Sequence, residues 1–295
     1  MLVDRILSLG RKGRATVMVI GGVDSGKTTF CRFLLAQACG AGIVAGLVDA
    51  EMGQSTLGPP STIGAKILRQ PEEAFCDDLR PPFLCFVGGM SPAGRIGACV
   101  EGARKALDWV LANGAALAVI DTTGLVDGEA GRELKARKIA LLDPDLVVGI
   151  TRETELDHIL DPQERLGRAV ARRRRVEAAA VRSPATRQQF RLQKFQEYFQ
   201  NSRLHDLPLA SLVIADCPIN LAHLFDPNRI ASTLPLLDRG ALTGLLAGLE
   251  DTAGRCLAVG IIEGLDKEGG HMTVRTPEVD KPQVRCLVIG RTGIE

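Results

Sequence analysis

The sequence predicts an α/β fold built on a doubly wound, mainly parallel sheet, with an arginine-rich helical insertion and a small antiparallel β unit at the carboxyl end. Three observations carry that expectation. Apolar, β-branched runs of strand length recur between helical stretches, the rhythm of strand–helix–strand units. That rhythm breaks near Asp161-Pro162, where an alanine- and arginine-rich segment follows. Beyond Pro235, short β-rich runs (245–249, 256–262, 272–276 and 284–289) are separated by Asp-Thr-Ala-Gly, Asp-Lys-Glu-Gly-Gly and Asp-Lys-Pro turns, which is hairpin chemistry. Residues 1–235 are therefore expected to form one domain, with the insertion at about 161–203, and residues 236–295 a smaller second one.

The elements follow in order. The first fourteen residues are brief and basic and lead straight into Ala15–Ile20, an apolar run that reads as a buried parallel strand. Gly21-Gly-Val-Asp-Ser-Gly-Lys-Thr-Thr29 follows, matching G-x-x-x-x-G-K-T, the phosphate-binding loop. Phe30–Gln37 then spaces its apolar residues as a helix does. Strand, glycine loop and helix start together aim backbone N–H groups and a helix dipole at a polyphosphate, as in P-loop NTPases. Gly21, Gly22, Val23, Asp24, Ser25, Gly26, Lys27, Thr28 and Thr29 are the expected nucleotide contacts, with Lys27 on the β- and γ-phosphates and Thr28 on Mg²⁺. Further strands are expected at 42–49, 83–87, 115–121, 145–150 and 209–215, with an amphipathic helix at 95–111 and a loop over 55–63.

Three groups of residues carry chemistry. Asp121 closes a strand where P-loop proteins keep a carboxylate for Mg²⁺. Asp49 and Glu51 lie two apart at the end of another strand, where acids face the ligand crevice; either would accept a proton, hold metal or simply cap the next turn. Between Arg165 and Arg191 there are nine arginines and one acid, Glu177. Such a run reads as a solvated face, as a lid over a triphosphate, or as a grip on a nucleic-acid backbone. Base choice points to ATP, because Thr151-Arg-Glu-Thr154 stands where a GTPase keeps Asn-Lys-x-Asp.

Composition narrows the classes. A net charge of +1 gives no global nucleic-acid signature, so any basic site is local. The eight cysteines form no C-x-x-C pair and the four histidines show no ligand spacing, which argues against zinc and disulfides. No apolar run approaches the roughly 18 residues of a membrane span, and the amino terminus has no signal-peptide core; no membrane is expected as partner, and a cytoplasmic location is.

These motifs resemble the polynucleotide 5′-hydroxyl kinases related to the kinase subunit of the mRNA cleavage factor and to the ribosomal-RNA-processing kinases, in their short prokaryotic form. The resemblance rests on Gly-Val-Asp-Ser-Gly-Lys-Thr-Thr (22–29), the run from Val48 to Ile63, Ile-Asp-Thr-Thr-Gly (120–124) and Val-Arg-Ser-x-x-x-Arg with a later Tyr-Phe (181–199). It implies transfer of the ATP γ-phosphoryl group to the 5′-hydroxyl end of RNA or DNA. By position it implies Lys27, Glu51, Arg182 and Arg187 as catalytic residues, and Thr28, Glu51 and Asp121 around Mg²⁺. Asp49, Gln54, Thr122, Thr123, Gly124 and Arg191 are the expected substrate contacts. Two positions depart from the pattern: Glu51 stands where the family usually has Asp, and Leu125 where eukaryotic members carry a tryptophan. An ATP-bound scaffold is the rival reading, a metallochaperone-type GTPase a third, and protein partners are unspecified.

Overall fold

The computed structural model describes residues 2–175, 183–215, 242–266, 268–277 and 279–294. A seven-stranded sheet carries the first part of the chain. Its strands are β1 (Ala15–Gly21), β2 (Ala45–Ala50), β3 (Thr62–Leu68), β4 (Phe83–Phe86), β5 (Leu117–Thr122), β6 (Leu146–Thr151) and β7 (Val170–Arg174), in the order β4-β3-β2-β5-β1-β6-β7. From β2 to β7 all pairings are parallel, while β3 and β4 run antiparallel at one edge. The central strands are buried along their whole length, so they consist of apolar residues without alternation. Helices α1 (Leu2–Lys12) and α2 (Lys27–Gly40) cover one face; α3 (Ile96–Ala112), α4 (Gly128–Leu142) and α5 (Asp157–Arg165) cover the other. The sheet is doubly wound and mainly parallel, as expected.

Three local expectations change. The opening residues form α1, whose Ile6 is buried against the sheet. The 55–63 loop is shorter than expected, because the chain reverses at Gly58-Pro59-Pro60 and Thr62–Leu68 returns as β3 beside β2. Within the arginine run, Val170–Arg174 is an edge strand beside β6. Long charged side chains suit an edge, where they stay in water and block further pairing. There Arg172 meets Asp157, Asp161 and Glu164 of α5 at 3.6, 2.5 and 2.5 Å.

The helical part of the insertion is α6 (Pro184–Phe199), started by Ser183, whose Oγ accepts from the Thr186 N–H at 3.1 Å. Its far end is anchored: Phe195, Tyr198 and Phe199 pack with Leu84 and Phe86 of β4 and with the second sheet. The Val259 N–H donates to the Tyr198 hydroxyl at 2.9 Å.

The second sheet has six strands in the order β8-β12-β11-β10-β13-β9. These are β8 (Arg203–Pro208), β9 (Val213–Ala215), β10 (Leu245–Glu250), β11 (Cys256–Asp266), β12 (His271–Thr276) and β13 (Cys286–Gly293). Every pairing is antiparallel except β13 with β9. Its outer strands β8 and β9 precede position 236, and the expected strand over 209–215 is split into a 3₁₀ turn at Leu209–Ser211 and β9. We propose that the second unit comprises residues 203–215 together with the carboxyl-terminal strands.

Candidate active site

The site sits where β1, β2 and β5 end. Gly26 (φ 90°) and Asp24 (φ 53°) hold left-handed backbone, which turns the chain from β1 into α2. No side chain caps α2, so its first N–H groups remain available to an anion. Lys27 is buried, and its Nζ donates to the Gly22 carbonyl at 2.7 Å across the loop. Thr28 Oγ1 donates to Asp121 Oδ2 at 2.5 Å.

Asp49 and Asp121 lie side by side on β2 and β5, both almost wholly buried. Burial pushes the Asp49 carboxyl up to about 7, with Asp121 adding to the rise and the N–H groups of Thr56, Glu51 and Leu57 opposing it. Burial also raises Asp121, against the pull of Lys27 and the Thr28 hydroxyl. Their partners differ. Asp49 accepts from the N–H groups of Glu51, Thr56 and Leu57 and from the Ser55 and Thr56 hydroxyls, at 2.6–3.1 Å. It thereby organises the loop after β2, and Asp49 itself lies outside the cavity lining. Asp121 Oδ1 is buried and has no hydrogen-bond partner among the described residues. An orphaned carboxylate oxygen beside a threonine hydroxyl suits a hard divalent cation, so Thr28 and Asp121 fit Mg²⁺.

Glu51 projects into the cavity. Its Oε1 accepts from the N–H groups of Gly53 (2.9 Å) and Gln54 (3.4 Å), and its Oε2 from Gly124 N–H (3.2 Å). Gly124 is pressed on the P-loop: a Cβ there would lie 2.8 Å from Val23 Cα. The carboxylate thus joins the loop after β2 to the turn after β5. Thr122, expected at the substrate, is fully buried and donates its hydroxyl to the Val19 carbonyl at 2.8 Å.

These elements enclose a cavity of about 750 Å³. Val23, Asp24, Ser25, Gly26, Lys27, Thr28, Thr29, Glu51, Gln54, Thr123, Gly124, Arg187 and Arg191 all line it. Gly21, Gly22, Asp49, Asp121 and Thr122 lie outside that lining. Arg187 reaches across from α6 to Asp24, Nη1 to Oδ2 at 3.7 Å. Lys194 ties the same helix to Asp77 at 2.9 Å, which also accepts from Arg32 at 2.5 Å. Arg182 lies outside the described residues. Phe190, beside Arg187 and Arg191 in the lining, had no sequence signal of its own; Leu125 also lines the cavity. Lys135 and Lys138 were missed as well, although residues 131, 134, 138 and 142 trace one helical face on which a lysine is out of place.

A P-loop facing a fixed carboxylate and an arginine-bearing helix defines a P-loop nucleotide-binding protein. The family model described as the mRNA cleavage and polyadenylation factor CLP1 P-loop matches residues 21–201, and the chain belongs to that family. It is 28% identical to a polyribonucleotide 5′-hydroxyl-kinase of Methanocaldococcus jannaschii, over 95% of this chain and 87% of that protein. It is 29% identical to another so named from Pyrococcus furiosus, over 98% of this chain and 90% of that one. The fold is similar to that of Clp1p in its solved complex with Pcf11p, with a TM-score of 0.67 at 12% identity, covering 99% of this chain and 78% of that one. Among the described residues, no helix is long and apolar enough to cross a membrane.

Proposed function

We propose that this protein is an ATP- and Mg²⁺-dependent polynucleotide 5′-hydroxyl kinase. The observation that carries the reading is the convergence on one cavity of the P-loop, the Glu51 carboxylate and the Arg187 guanidinium, in a chain whose archaeal relatives bear that name.

In this reading the P-loop N–H groups hold the triphosphate, and Lys27 exchanges the Gly22 carbonyl for phosphate oxygens. Thr28 and Asp121 hold Mg²⁺, which when bound neutralises phosphate charge. Glu51, fixed by three N–H groups, orients the 5′-hydroxyl and takes its proton. The hydroxyl oxygen bonds to the γ-phosphorus as the bond to the β–γ bridging oxygen breaks, giving ADP and a 5′-phosphate. Arg187, with Arg182 as companion, stabilises the charge in flight. Its present partner Asp24 is a part-exposed contact at 3.7 Å, weak enough to give way to phosphate. Gln54, Thr123 and Arg191 contact the strand end, the acceptor being RNA or DNA.

Incubation with γ-labelled ATP and a 5′-hydroxyl oligonucleotide tests the reading. Label is expected on the oligonucleotide and lost in Lys27→Ala. ATP retained without transfer to either RNA or DNA ends would instead support a scaffold.

A further inference from the structure

Two lysines are completely buried beneath the site, on the inward face of α4. Fully buried lysines are rare, since a methionine or leucine fills the same volume without desolvating an amine. Burial presses both towards the neutral form, and for Lys135 the neighbouring Lys138 and Lys27 press further. Both contact the segments around Glu51. Lys135 Nζ donates to Thr122 Oγ1 (3.0 Å), to the Thr123 carbonyl (2.5 Å) and to Thr123 Oγ1 (3.2 Å). Lys138 Nζ donates to the carbonyl of Ala50, the residue before Glu51, at 3.5 Å.

The turn held by Lys135 ends at Gly124, whose N–H donates to Glu51 Oε2 at 3.2 Å. The helix itself is clamped to the segment leaving that turn: a Cβ at Gly131 would lie 2.5 Å from the Val126 carbonyl carbon. A rigid chain of contacts therefore runs from α4 through Thr122 and Thr123 to the Glu51 carboxylate. At Gly124 it packs against Val23 of the P-loop, while Lys27 and Thr28 take no part in it.

From this chain we propose that Lys135 is a positioning residue for phosphoryl transfer, holding the Thr122–Gly124 turn so that its last N–H fixes Glu51 opposite the P-loop. The proposal rests on Glu51 being the group that handles the acceptor hydroxyl. A residue acting through another loses its effect once that other is disabled, because members of one functional unit are strongly non-additive.

The test is a double-mutant cycle on the transfer reaction with Lys135→Met, Glu51→Gln and the double variant. Lys135→Met is expected to lower kcat by about 10- to 100-fold, the scale of a supporting contact, while leaving KM for ATP nearly unchanged. In the Glu51→Gln background the same change is expected to do little more. Equal fold losses in both backgrounds, or an unchanged kcat in Lys135→Met, would overturn the proposal while leaving Glu51 in its role. A wild-type kcat in Glu51→Gln would overturn the reading of Glu51 and this proposal with it. If Lys135→Met does not fold, Thr122→Val removes one acceptor of the same lysine, together with the hydroxyl's bond to the Val19 carbonyl, at nearly the same shape, and the same non-additivity with Glu51→Gln is expected.

Discussion

Aspartate keeps the charge of Glu51 and loses one methylene, so Glu51→Asp is the change that looks safest and that the geometry says is not. Removing one methylene draws the carboxylate back by about 1.5 Å, one C–C bond. Glu51 now spans from β2 to Gly124 at 3.2 Å, and it also holds Gly53 at 2.9 Å. The shorter side chain loses the Gly124 bridge and cannot keep both oxygens engaged. A hydrogen bond to a charged group contributes about 1.5–3 kcal/mol, which is about 10- to 100-fold in rate at about 1.36 kcal/mol per decade. Steady-state transfer from γ-labelled ATP to a 5′-hydroxyl oligonucleotide should show kcat reduced by that factor. KM for ATP should stay within about threefold, since Glu51 is not among the expected phosphate contacts. A Glu51→Asp variant as fast as the parent would refute the claim that carboxylate placement limits the reaction.

Other outcomes follow from separate parts of the structure. Arg187→Ala should lower kcat by about 100-fold or more, as loss of one donor to developing charge does, while ATP binding by equilibrium dialysis is kept. Asp121→Asn should raise the Mg²⁺ concentration for half-maximal transfer roughly tenfold, the scale for losing one supporting group at a metal site, which a Mg²⁺ titration reads. Tyr198→Phe leaves the buried Val259 N–H without its partner and should cost about 1–3 kcal/mol in denaturant unfolding. The pH dependence has a definite sign. Asp49 is pushed up to about 7 in the fold from a value near 4 when unfolded, so between those values the folded chain holds a proton that the unfolded chain has released. Nucleotide-free protein should therefore lose stability as pH rises through that window, seen as a falling midpoint of thermal unfolding.

The first sheet was legible because its central strands are uniformly apolar and end in glycine or acid: Ala15–Ile20 and 115–121 could be placed within a residue or two. What escaped notice depended on partners far away in sequence. Thr62–Leu68 carries a glycine and a lysine and becomes a strand only because β2 and β4 flank it. The four arginines 172–175 look helical on an alanine background, yet the open edge of β6 takes Val170–Arg174 as a strand, and acids on α5 hold Arg172 there. Within the site, the P-loop was readable from spacing, while spacing left Asp49 and Glu51 open and only the family resemblance singled out Glu51. The inward turn of Asp49 was not readable, since it depends on the fold of residues 51–57 around its carboxylate. Nor was the buried support from Lys135, which needs the α4 face to be known.

The most direct test is a single-turnover experiment with enzyme in excess over γ-labelled ATP, with Mg²⁺ and a 5′-hydroxyl oligonucleotide, following where the label goes. The account predicts that it arrives on the oligonucleotide end in step with ADP, with little free phosphate. Label left in bound ATP, or released as inorganic phosphate with the oligonucleotide unmodified, would contradict it.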